Sequence, residues 1–360
     1  MNNTSRTDRH FRNKTLVGAI VAALALGAAG TAAADSVYTF NGVQTLTLQN
    51  YLQTVANQQL LVAPVHAADT DSEAGYRGPA SNGSLTVTGN TFQALTLDTA
   101  TNLLGANGAD NAIDLGLLGM QDPNQGIGIL SGQLATAGVS TLLDHDNIGL
   151  DLTDYTVGDA TVTGNTLNST TLVNGASNRA TGTLNTTPFN SATAGHVGAD
   201  YAPTGASLTA AGGVTIGNAQ TASGVASSAL VTDSNVSLVN AGIVGNAPVN
   251  VADNAVMAVD TGNRGDNRFS ATAGAVSYAG AVGVVNGQAN LGGSNAATVA
   301  GTDIGTEMDG GPYSGEVNVS GNTMSASAQG NDAAAVDASG NLLRGNAISF
   351  GQGIDVSGTT

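Results

Sequence analysis

The stretch Val317 to Asn346, VNVSGNTMSASAQGNDAAAVDASGNLLRGN, most constrains how this chain can fold. It carries Gly-Asn at Gly321-Asn322, Gly330-Asn331, Gly340-Asn341 and Gly345-Asn346. Between the pairs lie short runs of Val, Ala, Ser and Thr, several alternating apolar with small polar residues. Alternation with period 2 predicts strands, and Gly and Asn accept the left-handed backbone of a sharp corner. The unit recurs as LTVTGNTFQALTL at 85–97, ATVTGNTLNSTTL at 160–172 and VNVSGNTMSASAQ at 317–329. Each copy has Val two residues before Gly, then Gly-Asn-Thr, then a bulky apolar residue: Phe92, Leu167 or Met324. The corner candidates are therefore Gly89, Asn90, Gly164, Asn165, Gly321 and Asn322, then Gly217, Asn218, Gly245, Asn246, Gly330, Asn331, Gly340, Asn341, Gly345 and Asn346, with Asn263 in a weaker copy. Their spacing follows no single period, so the repeat is degenerate, with loops of varying length.

Glycine, at 50 of 360 residues, is abundant, yet 41% of residues are hydrophobic and only 10% charged. Chains that stay disordered lack apolar residues and carry many charges. With no Trp and few aromatics, the apolar content predicts a thin core of small side chains repeated many times. Short strands gain stability by stacking turn upon turn, each pairing its backbone with the next. The expected fold is all-β: a single-stranded parallel β-solenoid, or β-helix, right-handed, over residues 81–360. Coils of roughly 20–25 residues rising about 4.8 Å each would make a rod of roughly 65–75 Å. Corner Asn residues either form hydrogen-bonded ladders between coils or each shape only their own turn. Ala112 to Met120 and Ile127 to Thr141, richer in Leu and Ile, are expected to hold the best-packed interior. Residues 35–80 form an N-terminal cap and linker: strands at Tyr38–Phe40 and Val43–Leu48, a helix or strand over Leu48–Leu60, and a polar loop from Asp69 to Asn82.

Residues 1–34 have the pattern of an export signal, with Arg6, Arg9, Arg12 and Lys14 ahead of an apolar Leu16–Ala28 and a small-x-small site at Ala32-Ala33-Ala34. The apolar run is short of the ~20 residues a spanning helix needs, so no integral membrane segment is expected after cleavage. The segment holds four of the nine basic residues and one of the 26 acids, leaving five against 25, a net charge near −20 with no lysine. Nucleic acid and anionic membrane surfaces, which are recognised through Lys and Arg, are excluded as expected partners. The absence of Cys excludes disulfides and thiolate sites.

Neither a catalytic residue nor a cofactor or metal site is expected. Asp144-His145-Asp146 is the densest polar cluster, but adjacent strand residues point to opposite faces, so a solvated loop is the better reading. Asp69-Thr70-Asp71-Ser72-Glu73 resembles the start of a calcium loop, but Ala74 and Ala80 stand where an EF-hand needs Gly and Glu. Arg264-Gly265-Asp266 spells an integrin-type tripeptide in a turn-rich stretch, a match frequent by chance. Only His66, His145 and His196 follow residue 34, and none sits in a nucleophile motif. Arg77, Arg179, Arg264, Arg268 and Arg344 are the only cations available to a polysaccharide groove. Thr-x-Thr at 86–88 and 161–163 is too irregular an array for an ice-binding face.

The Gly-Asn-Thr strand repeat behind an export signal resembles the beta-strand-repeat surface proteins of Gram-negative bacteria. Within that group it looks like the holdfast-anchor proteins of stalked alphaproteobacteria. The resemblance covers 85–97, 160–172 and 317–346. It implies an exported, non-enzymatic structural protein of the outer cell surface or the secreted matrix, acting in attachment through self-assembly, other surface or matrix proteins, or polysaccharide. The alternatives are a periplasmic location and a carbohydrate-active or carbohydrate-binding β-helix protein.

Overall fold

A computed structural model describes residues 36–40, 44–49, 51–78, 84–96, 105–118, 126–153, 158–184, 189–190, 196–202, 205–211, 214–240, 248–273, 276–279, 282–308, 315–332, 335–336, 342–350 and 354–356. These are strands and the corners between them, with no helix among the described residues. Five parallel sheets dominate, and the chain passes through them four times in the same order. The first sheet holds Tyr51–Leu61, Gly126–Ala135, Val214–Ser223 and Val282–Leu291. The second holds Val65–Thr70, Val139–Asp144, Ala226–Thr232 and Ser294–Ala300. The third holds Glu73–Gly78, Asn147–Leu152, Asn235–Asn240 and Ile304–Met308. The fourth holds Leu85–Thr88, Ala160–Thr163, Val249–Ala252 and Val317–Ser320. In the fifth, Thr166–Leu184 and Ala255–Ala273 run through, while the first pass supplies Thr91–Leu95 and Asn107–Leu118, and the last Thr323–Asp332 and Asn346–Phe350.

One pass is therefore far longer than the expected coil of roughly 20–25 residues. Gln59, Gln133, Gln220 and Gln288 stand one above another, separated by 74, 87 and 68 residues. Three strand spacings from first to last layer come to about 14 Å, so the long rod is replaced by a broad, four-layered body. The passes differ because loops are inserted at different places. In the first, the separation to the second falls from 75 residues at Asn90 to 67 at Asn107, so extra chain lies between Leu95 and Asn107. The second carries an antiparallel hairpin, His196–Ala202 with Gly205–Ala211. In the fourth, the separation grows from 68 at Asn331 to 79 at Asn346.

Leu48–Leu60, open between helix and strand in the sequence, is mostly the strand Tyr51–Leu61, paired in parallel with Gly126–Ala135. Residues 51–78 thus begin the first pass of the shared sheets, and the stretch from Asp69, expected as a polar loop, holds the end of Val65–Thr70 and the strand Glu73–Gly78. Ser36–Phe40 and Gln44–Gln49 form a separate antiparallel pair, joined to the second-pass hairpin. Residues 1–34 lie outside the described residues. No described helix is long and apolar enough to cross a membrane.

Among the described residues, the largest apolar cluster fills the space enclosed by the second, third, fourth and fifth sheets. Leu143, Ile148, Leu152, Val162, Leu167, Val231, Val236, Leu238, Val251 and Val256 are all buried there. The strands alternate buried and half-buried positions, as Val139–Asp144 and Asn147–Leu152 do, so one face of each sheet supplies the core. The cluster lies beyond the two segments expected to hold the best-packed interior. Ile129, Leu130, Leu134 and Val139 are buried, but outside this cluster.

Candidate functional site

Two corners recur in every pass, and both rest on a residue with left-handed backbone. Between the second and third sheets it is Asp71, His145, Asp233 or Gly301, with φ of 57°, 58°, 48° and 61°. Between the fourth and fifth it is Gly89, Gly164, Asp253 or Gly321, with φ of 69°, 66°, 55° and 66°. Ser72 apart, whose hydroxyl donates to Asp69 of its own pass, the residue after each bonds through its side chain to the neighbouring layer.

At the second of these corners Asn90, Asn165, Asn254 and Asn322 form a continuous column. Asn90 Nδ2 donates to Asn165 Oδ1 at 3.1 Å, Asn165 Nδ2 to Asn254 Oδ1 at 3.0 Å and Asn254 Nδ2 to Asn322 Oδ1 at 3.0 Å. The backbone N–H groups of Asn90, Asn165 and Asn254 donate to the same three oxygens, each at 3.0 Å. The amides of Asn165, Asn254 and Asn322 also donate to the carbonyls of Val87, Val162 and Val251. A corner must leave its backbone groups without strand partners, and this column supplies them. The other corner uses shorter side chains: Ser72 N–H donates to Asp146 Oδ1 at 2.8 Å and Asp146 N–H to Ser234 Oγ at 3.1 Å.

Inside the body, between the first sheet and the second half of the fifth, the core is polar. Asn107, Asn174, Asn263 and Asn331 donate one to the next at 2.9, 2.7 and 2.7 Å. Asn111, Asn178, Asn267 and Asn346 do so at 2.8, 2.7 and 2.9 Å. The Gln column runs the other way, Gln288 to Gln220 to Gln133 to Gln59, at 2.9, 2.6 and 2.8 Å. Gln133 Nε2 also donates to the carbonyls of Asn107 and Gly175, and Gln220 Nε2 to that of Arg264, tying the facing sheets together. Gln133, Asn174, Gln220, Asn263 and Asn267 are fully buried. Such amides contribute only when every donor and acceptor is matched, and then they fix one register.

The sequence candidates divide accordingly. Gly89, Gly164 and Gly321 are corner residues, and Asn90, Asn165 and Asn322 belong to the corner column. Asn263, Asn331 and Asn346 belong to interior columns. Gly217-Asn218 and Gly330-Asn331 lie within strands rather than at turns; Asn218 Nδ2 donates to Asn286 Oδ1 at 2.8 Å. Gly345, at φ 121°, joins two strands. Gly245, Asn246, Gly340 and Asn341 lie outside the described residues. The sequence reading missed Asn254, because Asp253 replaces the expected Gly, and it missed all four Gln. The signals are Val-x-x-Asn at Val87, Val162, Val251 and Val319, and aliphatic-x-Asn/Ser-x-Gln beginning at Val55, Ile129, Ile216 and Val284.

Two carboxyls are buried, Asp260 in the fifth sheet facing Ser227 of the second, and Asp146 at the corner between the second and third sheets. Asp260 Oδ2 accepts from Ser227 Oγ and the Ala296 N–H, both at 2.8 Å, while its Oδ1 has no partner. Asp146 Oδ2 is likewise buried without a partner. Burial raises both carboxyls to about 6. Through these two groups the folded chain holds more protons than the unfolded one between about pH 4 and 6, so their contribution to stability falls as pH rises through that window and is level above it. At ~1.4 kcal/mol per pH unit, each group costs about 3 kcal/mol at neutral pH. Asp260→Asn is expected to raise the urea midpoint at pH 7.5 and leave it nearly unchanged at pH 4. Equal shifts at both values would show that the carboxyl carries no such cost.

Asp144, His145 and Asp233 bring ligand atoms within 4.8 Å of one another. This is a largely exposed corner in which two of the three pair: Asp144 Oδ1 lies 3.0 Å from His145 Nδ1 and accepts from Thr232 Oγ1 at 2.7 Å. The pairing lowers Asp144, through Thr232 first and His145 next, and raises His145. Asp146 turns inward, away from this surface, with 0% exposure. In the calcium-like stretch Asp69 Oδ1 accepts from Ser72 Oγ at 2.7 Å, and Asp71 is the corner itself. Arg264-Gly265-Asp266 is not in a turn but in the strand Ala255–Ala273. Arg264 Nε donates to Asp332 at 3.1 Å, Gly265 is packed against the Asn218 and Asn286 amides, and Asp266 accepts from Arg268 and the Gly345 N–H. The tripeptide is absorbed in the layer and cannot present itself to a receptor.

Comparison with known proteins finds no matching family model, no matching curated protein and no matching solved structure.

Proposed function

We propose that the chain is an exported, non-enzymatic structural protein built as a single-stranded parallel β-solenoid, right-handed by the general preference of parallel crossovers, behind a cleaved signal. Its role is surface attachment, holdfast anchoring or extracellular matrix at the outer surface of a Gram-negative bacterium, through association with itself or with other surface or matrix proteins or polysaccharide. The observation that carries the reading is the set of four-layer amide columns. They join every pass to the next through the interior and at a corner, which suits a rigid scaffold. The acid-rich composition keeps such a scaffold soluble outside the cell.

The test is immunogold electron microscopy of intact producing cells with antibody against residues 81–360. Gold on the outer surface, above all at a pole or along filaments, is expected. Gold only after the outer membrane is permeabilised would sink the attachment reading and point to periplasmic glycan binding or processing.

A further inference from the structure

We infer that copies of this chain stack head to tail, the last-pass edge of one molecule, Val317–Ser320 and Thr323–Gln329, pairing with the first-pass edge of the next, Leu85–Thr88 and Thr91–Leu95; this rests on reading the protein as a self-associating coil. Four of the six exposed large apolar side chains among the described residues, Val317, Val319, Met324 and Ile348, belong to the last pass. They are core positions left uncovered. Val317 stands over Val249, Val319 over Val251 and Met324 over Val256, and these partners are 4%, 0% and 0% exposed. Followed to the first pass, the same columns end on Leu85, Val87 and Phe92.

The two edges also match in shape and bonding. Leu85-Thr-Val-Thr-Gly-Asn-Thr-Phe92 and Val317-Asn-Val-Ser-Gly-Asn-Thr-Met324 turn the same corner, with φ of 69° at Gly89 and 66° at Gly321. Within the molecule Leu85 N–H donates to Asp159 O, Ala160 N–H to Pro248 O and Val249 N–H to Glu316 O. The next step in that series is Val317 N–H to Ser84 O of a second copy. In the corner column each Asn-to-Asn bond runs toward the later pass, so at one end Asn322 has its backbone N–H and the second hydrogen of its amide to offer where Asn90 at the other end offers Oδ1. The Gln column runs oppositely, from Gln288 to Gln59. The direction of these bonds selects head-to-tail contact, an open arrangement that grows into filaments.

Edge strands of natural sheets are protected by charges, Pro or bulges. Residues 84–96 and 317–331 contain none of Asp, Glu, Lys, Arg or Pro, in a chain holding 26 acids. The two edges lack that protection where the columns would continue. Salt should strengthen the contact by screening the net negative charge of the rest.

The experiment is sedimentation velocity and negative-stain electron microscopy of the purified full-length chain, over a hundredfold concentration range at 150 mM salt. One-dimensional species that lengthen with concentration are expected. Val319→Glu, which puts a charge on the uncovered column, and Thr86→Pro, which removes an outward N–H from the other edge, should each weaken association at least tenfold while leaving the circular dichroism spectrum and melting unchanged. Mixed one to one, the two variants should form dimers and stop, because each retains one good edge. A variant that does not fold is replaced by Asn318→Lys or Thr88→Lys on the same edges. Monomers at every concentration, or mixed variants that do not associate, would overturn the stacking. A monomer found on the outer surface would sink stacking while leaving the attachment reading in place; filaments from a periplasmic protein would do the reverse.

Discussion

Gln220→Leu is expected to lower the unfolding free energy by roughly 3–6 kcal/mol, enough to unfold much of the protein at physiological temperature. Leu is close in size and more apolar, so burial alone predicts a neutral or stabilising change. The amide bonds reverse that expectation. Gln220 Nε2 donates to Gln133 Oε1 at 2.6 Å and to Arg264 O at 2.8 Å, and its own Oε1 accepts from Gln288 Nε2 at 2.9 Å. Leu would remove all three bonds from the buried interior, and a buried polar group that loses its bond costs about 1–3 kcal/mol. The loss falls in the third of four layers, so it also uncouples the last pass from the first two. Thr298→Ala, at an exposed outward position in the second sheet, serves as control and should stay within about 0.5 kcal/mol. Urea unfolding followed by far-ultraviolet circular dichroism reads both. An unchanged midpoint for Gln220→Leu would mean that the polar interior contributes nothing to holding the layers.

The same interior shows what the sequence could and could not reveal. Corners at Gly89, Gly164 and Gly321 were legible because left-handed backbone favours Gly, and the Asn after each recurs with it. Asn254 was hidden because Asp253 takes the same conformation at φ 55°, so the copy VNVADNAV does not spell Gly-Asn. Pass length was hidden for a related reason. His145 and Gly164, Asp233 and Asp253, and Gly301 and Gly321 are successive corners of single passes, about 20 residues apart, the length of a complete coil in many repeat proteins. Local chemistry cannot tell a corner in the same layer from the equivalent corner one layer on. Only the register does, and it is set by pairing over 67 to 89 residues. Inserted loops, each in a different pass, then removed the constant period that would have exposed it. The interior columns were invisible for want of that register. In a strand read alone, Gln133 or Asn174 is a polar residue expected to face water.

The Asn column allows a sharper test, because one atom can be changed without changing shape. Asn254→Asp is expected to cost about 3–5 kcal/mol at pH 7.5 and distinctly less near pH 4. Asn254 is 1% exposed. Its Oδ1 accepts from the Asn165 backbone N–H and from Asn165 Nδ2, both at 3.0 Å, and a carboxylate keeps both bonds. Its Nδ2 donates to Asn322 Oδ1 at 3.0 Å and Val162 O at 3.1 Å, and there a carboxylate oxygen would face two acceptors. Burial and these acceptors both disfavour the charged form, so the new carboxyl would titrate above its unfolded value near 3.9. Folding then takes up a proton. The penalty relative to the parent protein is smallest below about pH 4, grows as pH rises, and levels off once the folded carboxyl has ionised. Asn254→Ala separates geometry from charge: it orphans the Asn165 N–H, removes the amide bonds to Val162 O and Asn322 Oδ1, and should cost about 2–4 kcal/mol with little dependence on pH. The parent chain carries its own pH dependence through Asp146 and Asp260, so the comparison is the difference between variant and parent melting at each pH. A difference for Asn254→Asp that is the same at pH 4 and pH 7.5 would show that Asn254 is not enclosed between Asn165 and Asn322 in the folded protein, and the continuous column would have to be abandoned.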